Sequence, residues 1–181
     1  DSTLDGVTAY GNVNGNVVIS QQFGNDIQQA PISGNIRVSA PNLESFRNFL
    51  PIGQTLRGSL LGAATISGRV GDPQLNGTLN GDNLYYRNRD LGLILDNGSL
   101  RSRLQGQRWH IDSLRFQRGG TVTLNGSIGL VGSSPDVDVT AVFDRYNTLD
   151  QPNRRLTLSG DAKMLYTEAS GVTLTGTLRA D

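Results

Sequence analysis

The chain has 181 residues, with 16 Lys and Arg balanced by 16 Asp and Glu, and it contains no cysteine. Zero net charge without a basic stripe argues against a nucleic-acid partner and against simple electrostatic docking on an anionic membrane. Without cysteine there is neither a disulfide framework nor a thiolate metal site.

A length of 181 residues fits one all-β domain, or one segment of a longer repeat array. The chain opens Asp1-Ser2-Thr3, with no initiator Met, no signal peptide and no apolar run of the roughly 20 residues that span a bilayer. The expectation is a single segment, 1–181, excised from a longer repeat-built protein whose anchor and targeting signals lie outside it.

Along the chain, a unit of apolar, any, Gly, any, apolar recurs. It appears around Gly15, Gly34, Gly58, Gly68 and Gly77, and again around Gly126, Gly160 and Gly176. The spacing is irregular, so no fixed-period solenoid fits. One segment, Pro41 to Pro51, breaks the β signal. Leu43, Phe46, Phe49 and Leu50 fall near helical spacing, with Asn42 as a cap and Pro51 as a stop, so one short amphipathic helix is predicted near residues 42–50. Asp96-Asn97-Gly98 reads as a hairpin turn between strands 91–95 and 99–104. In 108–117, Trp109, Ile111, Leu114 and Phe116 change phase at Asp112-Ser113, which predicts a β-bulge. Arg118-Gly119-Gly120 leads into a strand over 121–130, and Gly132-Ser133-Ser134-Pro135 precedes the strand 136–143. The last two strands are read at 154–165 and 172–180. Each alternates apolar and polar residues, the mark of half-buried antiparallel strands. Short connections predict a meander.

The central glycine of each unit shares a face with its two apolar neighbours. Repeated loss of side-chain packing on the inward face points to a geometric use, since glycine lets a sheet coil sharply. About eleven or twelve strands at about 4.8 Å each would make a flat sheet roughly 55 Å wide, and sheets that wide curl, split or close. One short helix cannot cover such a face. A dry sandwich or barrel and an open apolar groove demand the same alternation, and the residues alone favour the dry core.

Site chemistry is sparse. The single histidine, His110, has no G-x-S-x-G elbow to serve, and it reads as an ordinary strand residue. Asp136 and Asp138 share a strand face and form a candidate acid/base pair, although that face reads as solvated. No metal ligand set, calcium loop or phosphate loop is present, so no cofactor is expected. Arg101, Arg103, Arg108, Arg115 and Arg118 form a mild basic cluster, either a contact for lipid headgroups or an acidic partner, or a solvated face. The chain is read as no enzyme.

Three stretches together carry a family resemblance. They are Gly68-Arg69-Val70-Gly71-Asp72-Pro73-Gln74-Leu75-Asn76-Gly77-Thr78-Leu79, Leu91-Gly92-Leu93-Ile94-Leu95-Asp96-Asn97-Gly98-Ser99-Leu100, and Gly119-Gly120-Thr121-Val122-Thr123-Leu124-Asn125-Gly126. The chain resembles the TamB family, the inner-membrane-anchored subunit of the bacterial translocation and assembly module. The resemblance implies a long antiparallel sheet curled into a β-taco-like trough with an apolar interior. It implies a place in the periplasm of a Gram-negative bacterium and phospholipid transport from inner to outer membrane. It also implies outer-membrane protein assembly with a BamA-like barrel subunit as partner. It moves the preference from a dry sandwich to a groove. The expected lining is Leu75, Leu79, Val122, Leu124, Ile128, Leu130, Val137, Val139, Phe143, Leu156, Leu158, Met164, Val172, Leu174 and Leu178. Its cargo would be acyl chains. The alternative is a scaffold for outer-membrane β-barrels or autotransporters, whose amphipathic strands would add to a sheet edge. An ordinary secreted sandwich or adhesin repeat remains a third reading.

Overall fold

A computed structural model describes residues 2–8, 11–20, 26–130, 136–149 and 156–180. Eleven strands form one antiparallel sheet in strict chain order. They are β1 (Ser2–Thr8), β2 (Gly11–Ile19), β3 (Ile32–Ala40), β4 (Gln54–Arg69), β5 (Asp72–Asn88), β6 (Leu93–Gly106), β7 (Arg108–Gln117), β8 (Thr121–Gly129), β9 (Val137–Asn147), β10 (Thr157–Thr167) and β11 (Gly171–Ala180). The predicted meander is therefore present. The predicted turn at 132–135 and the residues 154–155 of the predicted tenth strand lie outside the described residues.

The helix predicted near 42–50 is a 3₁₀ helix, Leu43–Phe49, capped by the Asn42 side chain, whose oxygen accepts from the Glu44 N–H at 3.0 Å. A second 3₁₀ turn, Ile27–Gln29, escaped the sequence reading. The longer one docks on β4. Leu43 is buried in the core and Phe46 packs against it, whereas Phe49 is exposed, so only part of the predicted apolar stripe faces the sheet.

The sheet curls because its strands are interrupted. The Asp112–Ser113 bulge is where the phase change placed it: Ile111 pairs with Gly126 and Leu114 with Leu124, leaving two residues of β7 opposite one of β8. Similar breaks in register fall around Asn83 of β5, which has an extra residue opposite both Gly58 of β4 and Ser99 of β6, and at Asp144–Arg145 of β9, opposite Ser159 of β10. Each extra residue bends its strand and restores the apolar residues to the inner face. The predicted hairpin at Asp96-Asn97-Gly98 is one more such break, not a turn. Strand β6 runs straight through it, and the true turn lies at 89–92. The left-handed preference of Asn is real, with φ of 49° at Asn97. It serves a bulge because Gly98 pairs with Leu84 across the sheet, and the strand has partners on both sides.

At one rim the curl closes locally. Strands β6 and β9, separated in the sheet by β7 and β8, meet in a Leu93–Leu149 bridge, and the Ile94 N–H donates to the Thr148 carbonyl at 3.1 Å. Tyr146, fully buried, locks the join. Its hydroxyl donates to the Ile94 carbonyl at 3.2 Å and accepts from the Asp96 N–H at 3.1 Å. The Arg118 guanidinium holds the Asn147 and Leu149 carbonyls at 3.4 and 3.1 Å. Around this join lies the core of Ala40, Leu43, Leu84, Leu100, Ile111, Phe116, Val122 and Tyr146. The trough thus has an apolar interior filled by its own side chains in the middle strands.

Candidate functional site

Register converts the sequence alternation into continuous rows on the inner face. One row runs across neighbouring strands from Val13 through Val38, Gly62, Leu79, Ser102, Ile111, Gly126, Val139 and Met164 to Leu174. A second runs from Gly15 through Ile36, Ala64, Gly77, Leu104, Trp109, Ile128, Val137 and Tyr166 to Val172. No charged side chain interrupts either. The hydroxyl in the first row, Ser102, is buried and donates to the Leu79 carbonyl, so it offers nothing polar to the interior.

Glycines in these rows let the backbones close up. Gly126 has φ of 151°, and a Cβ there would lie 2.8 Å from the Val139 Cα, too close for any side chain. Curvature and apolarity therefore come from the same recurring unit.

Burial along the rows is uneven. Val122 is core, and Leu79, Leu124, Ile128 and Phe143 pack against that core. Leu75, Val137, Val139, Leu156 and Leu158 are half-buried, Leu156 just before β10. Leu130 lies one residue beyond β8 and is exposed. Toward β11 the face opens: Met164 is 39% exposed, Leu178 48%, Val172 68% and Leu174 73%. Met164 pairs with Leu174, and Tyr166 with Val172, so these make one contiguous uncovered surface. Ile36, Leu104, Trp109 and Tyr166 share the rows but were not among the predicted lining. The apolar-Gly-apolar unit around Gly34 was the signal that would have added Ile36.

The outer face carries the charge. Arg101 pairs with Asp82, Arg103 with Asp112 and Arg108 with Asp136, each at 2.7 Å, and Lys163 with Asp138 at 3.1 Å. Three of these ion pairs take up Arg101, Arg103 and Arg108, three of the five residues of the predicted basic cluster. Asp136 and Asp138 each face a cation instead of each other, so their geometry does not make an acid/base pair. The guanidinium of Arg103 donates to Asp112 and holds its carboxyl below the usual range. Burial pushes the Tyr146 phenol above its ordinary value. Among the described residues no group of His, Asp and Glu is placed to hold a metal ion.

An eleven-strand curled meander with an apolar interior and a charged exterior narrows the choice of family, and the sequence decides it. Residues 3–80 match the family model described as the TamB N-terminal domain, and residues 112–181 match that of the TamB C-terminal domain. The chain belongs to the TamB family. Strands β1 to β4 and half of β5 fall in the first match and β8 to β11 in the second, yet the TamB sheet is continuous across both. Neither a curated protein nor a solved structure matches the chain. TamB membership brings a role in membrane assembly or lipid transport at the level of the family, and with it the Gram-negative envelope. No helix among the described residues is long and apolar enough to cross a membrane.

Proposed function

We propose that this TamB-family chain is a non-enzymatic periplasmic segment whose inner face takes phospholipid acyl chains during inner-to-outer membrane transport. The parent protein would be anchored in the inner membrane and would work with a BamA-like outer-membrane barrel subunit. One observation carries the reading: the uncovered apolar surface of Met164, Val172, Leu174 and Leu178, continuous in register with the largely half-buried apolar rows of the middle strands. Apolar patches of this kind on a soluble face mark interaction sites. An acyl chain against it gains about 0.8 kcal/mol for each CH₂ removed from water. The attraction is non-directional and needs no polar anchor.

The test is native mass spectrometry with lipid extraction on the chain purified without detergent. Co-purifying phospholipid, lost in Leu174→Arg while the fold is kept, supports the reading. Leu174 is the position of choice because it is 73% exposed, whereas Leu124 packs on the core. A lipid-free chain that binds no apolar dye would sink it.

A second reading rests on β11 itself. It ends the sheet order, pairs among the described residues only with β10 and contains no proline. Its free edge suits an incoming amphipathic strand, as a scaffold for barrel or autotransporter assembly would require. Crosslinkers along β11 that capture nascent barrel strands and no lipid would favour it.

A further inference from the structure

Three of the four most exposed large apolar side chains among the described residues sit at one rim: Ile52 at 99%, Phe49 at 75% and Leu91 at 70%. Ile52 and Leu91 project from two turns that are tied together, and Phe49 ends the 3₁₀ helix just before the first of them. The first follows the 3₁₀ helix, where the Gln54 N–H donates to the Pro51 carbonyl at 3.1 Å. Gly53, third in this turn, has φ of 89°, the left-handed value a type II turn requires. Ile52 is thus held outward by a defined turn, with Pro51 before it. The second turn joins β5 to β6. Its Leu91 N–H donates to the Asn88 side chain at 3.1 Å, and its Arg89 N–H donates to the Gly53 carbonyl at 3.0 Å, which joins the two turns. Phe49 leans on Phe46, ring centroids 6.4 Å apart, and Phe46 packs on the core.

Two cations flank this tip. Arg47 and Arg89 are exposed, and neither enters an ion pair among the described residues. Asp90 lies in the same turn, and Glu44 is 3.8 Å from Arg57, so the tip keeps a positive balance.

We propose that this rim is a membrane-docking tip, in which Phe49, Ile52 and Leu91 insert into the acyl boundary of a phospholipid surface and Arg47 and Arg89 meet lipid phosphates. Protruding apolar residues ringed by cations fit a fluid interface. A protein partner needs about 800 Å² on each side, more than these three side chains present. The inference does not depend on the inner groove, which lies on other residues.

Flotation of the intact chain with vesicles of phosphatidylethanolamine, with and without admixed phosphatidylglycerol, tests it. The expected result is vesicle binding that strengthens with the anionic lipid and falls about tenfold in Phe49→Ser/Ile52→Ser/Leu91→Ser. Ile52→Asp alone, at a site with no packing to lose, should weaken binding without lowering the melting temperature. Leu174→Arg should float as the parent does, which separates docking from groove loading. A parent chain that stays off vesicles, or a triple variant that floats equally well, overturns the proposal. So does a parent dimer in sedimentation that the triple variant disperses, because the tip would then be a self-association contact.

Discussion

Removing one oxygen atom from Tyr146 tests how the curl is held. The phenol is fully buried and bridges two backbone groups of β6 from a strand three places away in the sheet. Tyr146→Phe keeps the ring and its packing. It strands the Asp96 N–H, and it leaves the Ile94 carbonyl without its side-chain donor. A buried polar group deprived of its partner costs about 1–3 kcal/mol. The Asp96 side is only half-buried and water can reach part of it, so the expected loss is about 2 kcal/mol. Urea denaturation followed by circular dichroism should show a lower midpoint at unchanged slope. The phenol also predicts a pH signature. Burial raises its pKa above the ordinary 10.0, so folding strengthens proton binding at this group. Its contribution is full below the unfolded value and is lost as pH climbs through the higher folded value. The parent should therefore lose more stability than Tyr146→Phe on the alkaline side of the ordinary tyrosine range, and the two should converge. A midpoint shift equivalent to less than about 0.5 kcal/mol, or identical alkaline profiles, would refute the assignment of Tyr146 as the tie between β6 and β9.

Other substitutions separate the roles of the inner face, its glycines and the outer charges. Gly126→Ala should lower stability by about 2 kcal/mol or more, since the added Cβ meets the Val139 backbone. Gly171→Ala, left-handed at φ of 65° but in open space, should cost about 1 kcal/mol by the same denaturation assay. Val122→Arg should fail to fold, because Val122 is 2% exposed, while Leu174→Arg should melt as the parent does. Asp112→Asn removes a salt bridge whose partners are 58% and 37% exposed, so it should change stability by at most about 0.5 kcal/mol. Because folding lowers the Asp112 pKa, that small contribution exists above the ordinary carboxylate value and disappears as pH falls through the folded one.

Local pattern was enough to read the strand content, the meander and the β7 bulge. Alternation has a fixed period, and the break of phase at Asp112-Ser113 is visible in Trp109, Ile111, Leu114 and Phe116 alone. The Asn97-Gly98 pair shows the limit. A left-handed Asn serves a tight turn or a bulge equally well, and only the pairing of Gly98 with Leu84 decides between them. The 3₁₀ character of Leu43–Phe49 was equally hidden, since one or two turns of either helix give similar apolar spacing. Tyr146 was out of reach for another reason. Its partners Ile94 and Asp96 lie about 50 residues earlier, and only closure of β9 onto β6 brings them together. The candidate lining was legible as a face, because period two fixes which residues share a side. How deeply each is buried was not, because burial depends on which strands curl over which.

That uneven burial bears on how a groove of this kind could work. In the middle strands, Leu84, Leu100, Phe116, Val122 and Tyr146 pack together in the core, and the rows beside them are buried or half-buried without cargo. At β10 and β11 the same rows continue with Met164, Leu174 and Val172 uncovered. An acyl chain leaving a bilayer is already out of water, so moving it onto Leu174 and Val172 gains little; the gain of about 0.8 kcal/mol per CH₂ applies only against water. A surface nearly level in free energy with the membrane interior accepts a chain and gives it up again with little resistance. A deep pocket with polar anchors would hold it. The absence of charge along the rows and the Ser102 hydroxyl, taken up by the Leu79 carbonyl, suit the level surface. The closed middle sets a separate demand. On the proposed reading, a chain following the Met164 row toward Leu79 would pass the core packed around Tyr146, so its transit would depend on loosening the join that Tyr146 fastens. Tyr146→Phe should then raise lipid occupancy of the middle strands in the same native mass spectra in which Leu174→Arg lowers it. Equal occupancy in parent and Tyr146→Phe would mean that lipid keeps to the open flank and the middle strands stay closed.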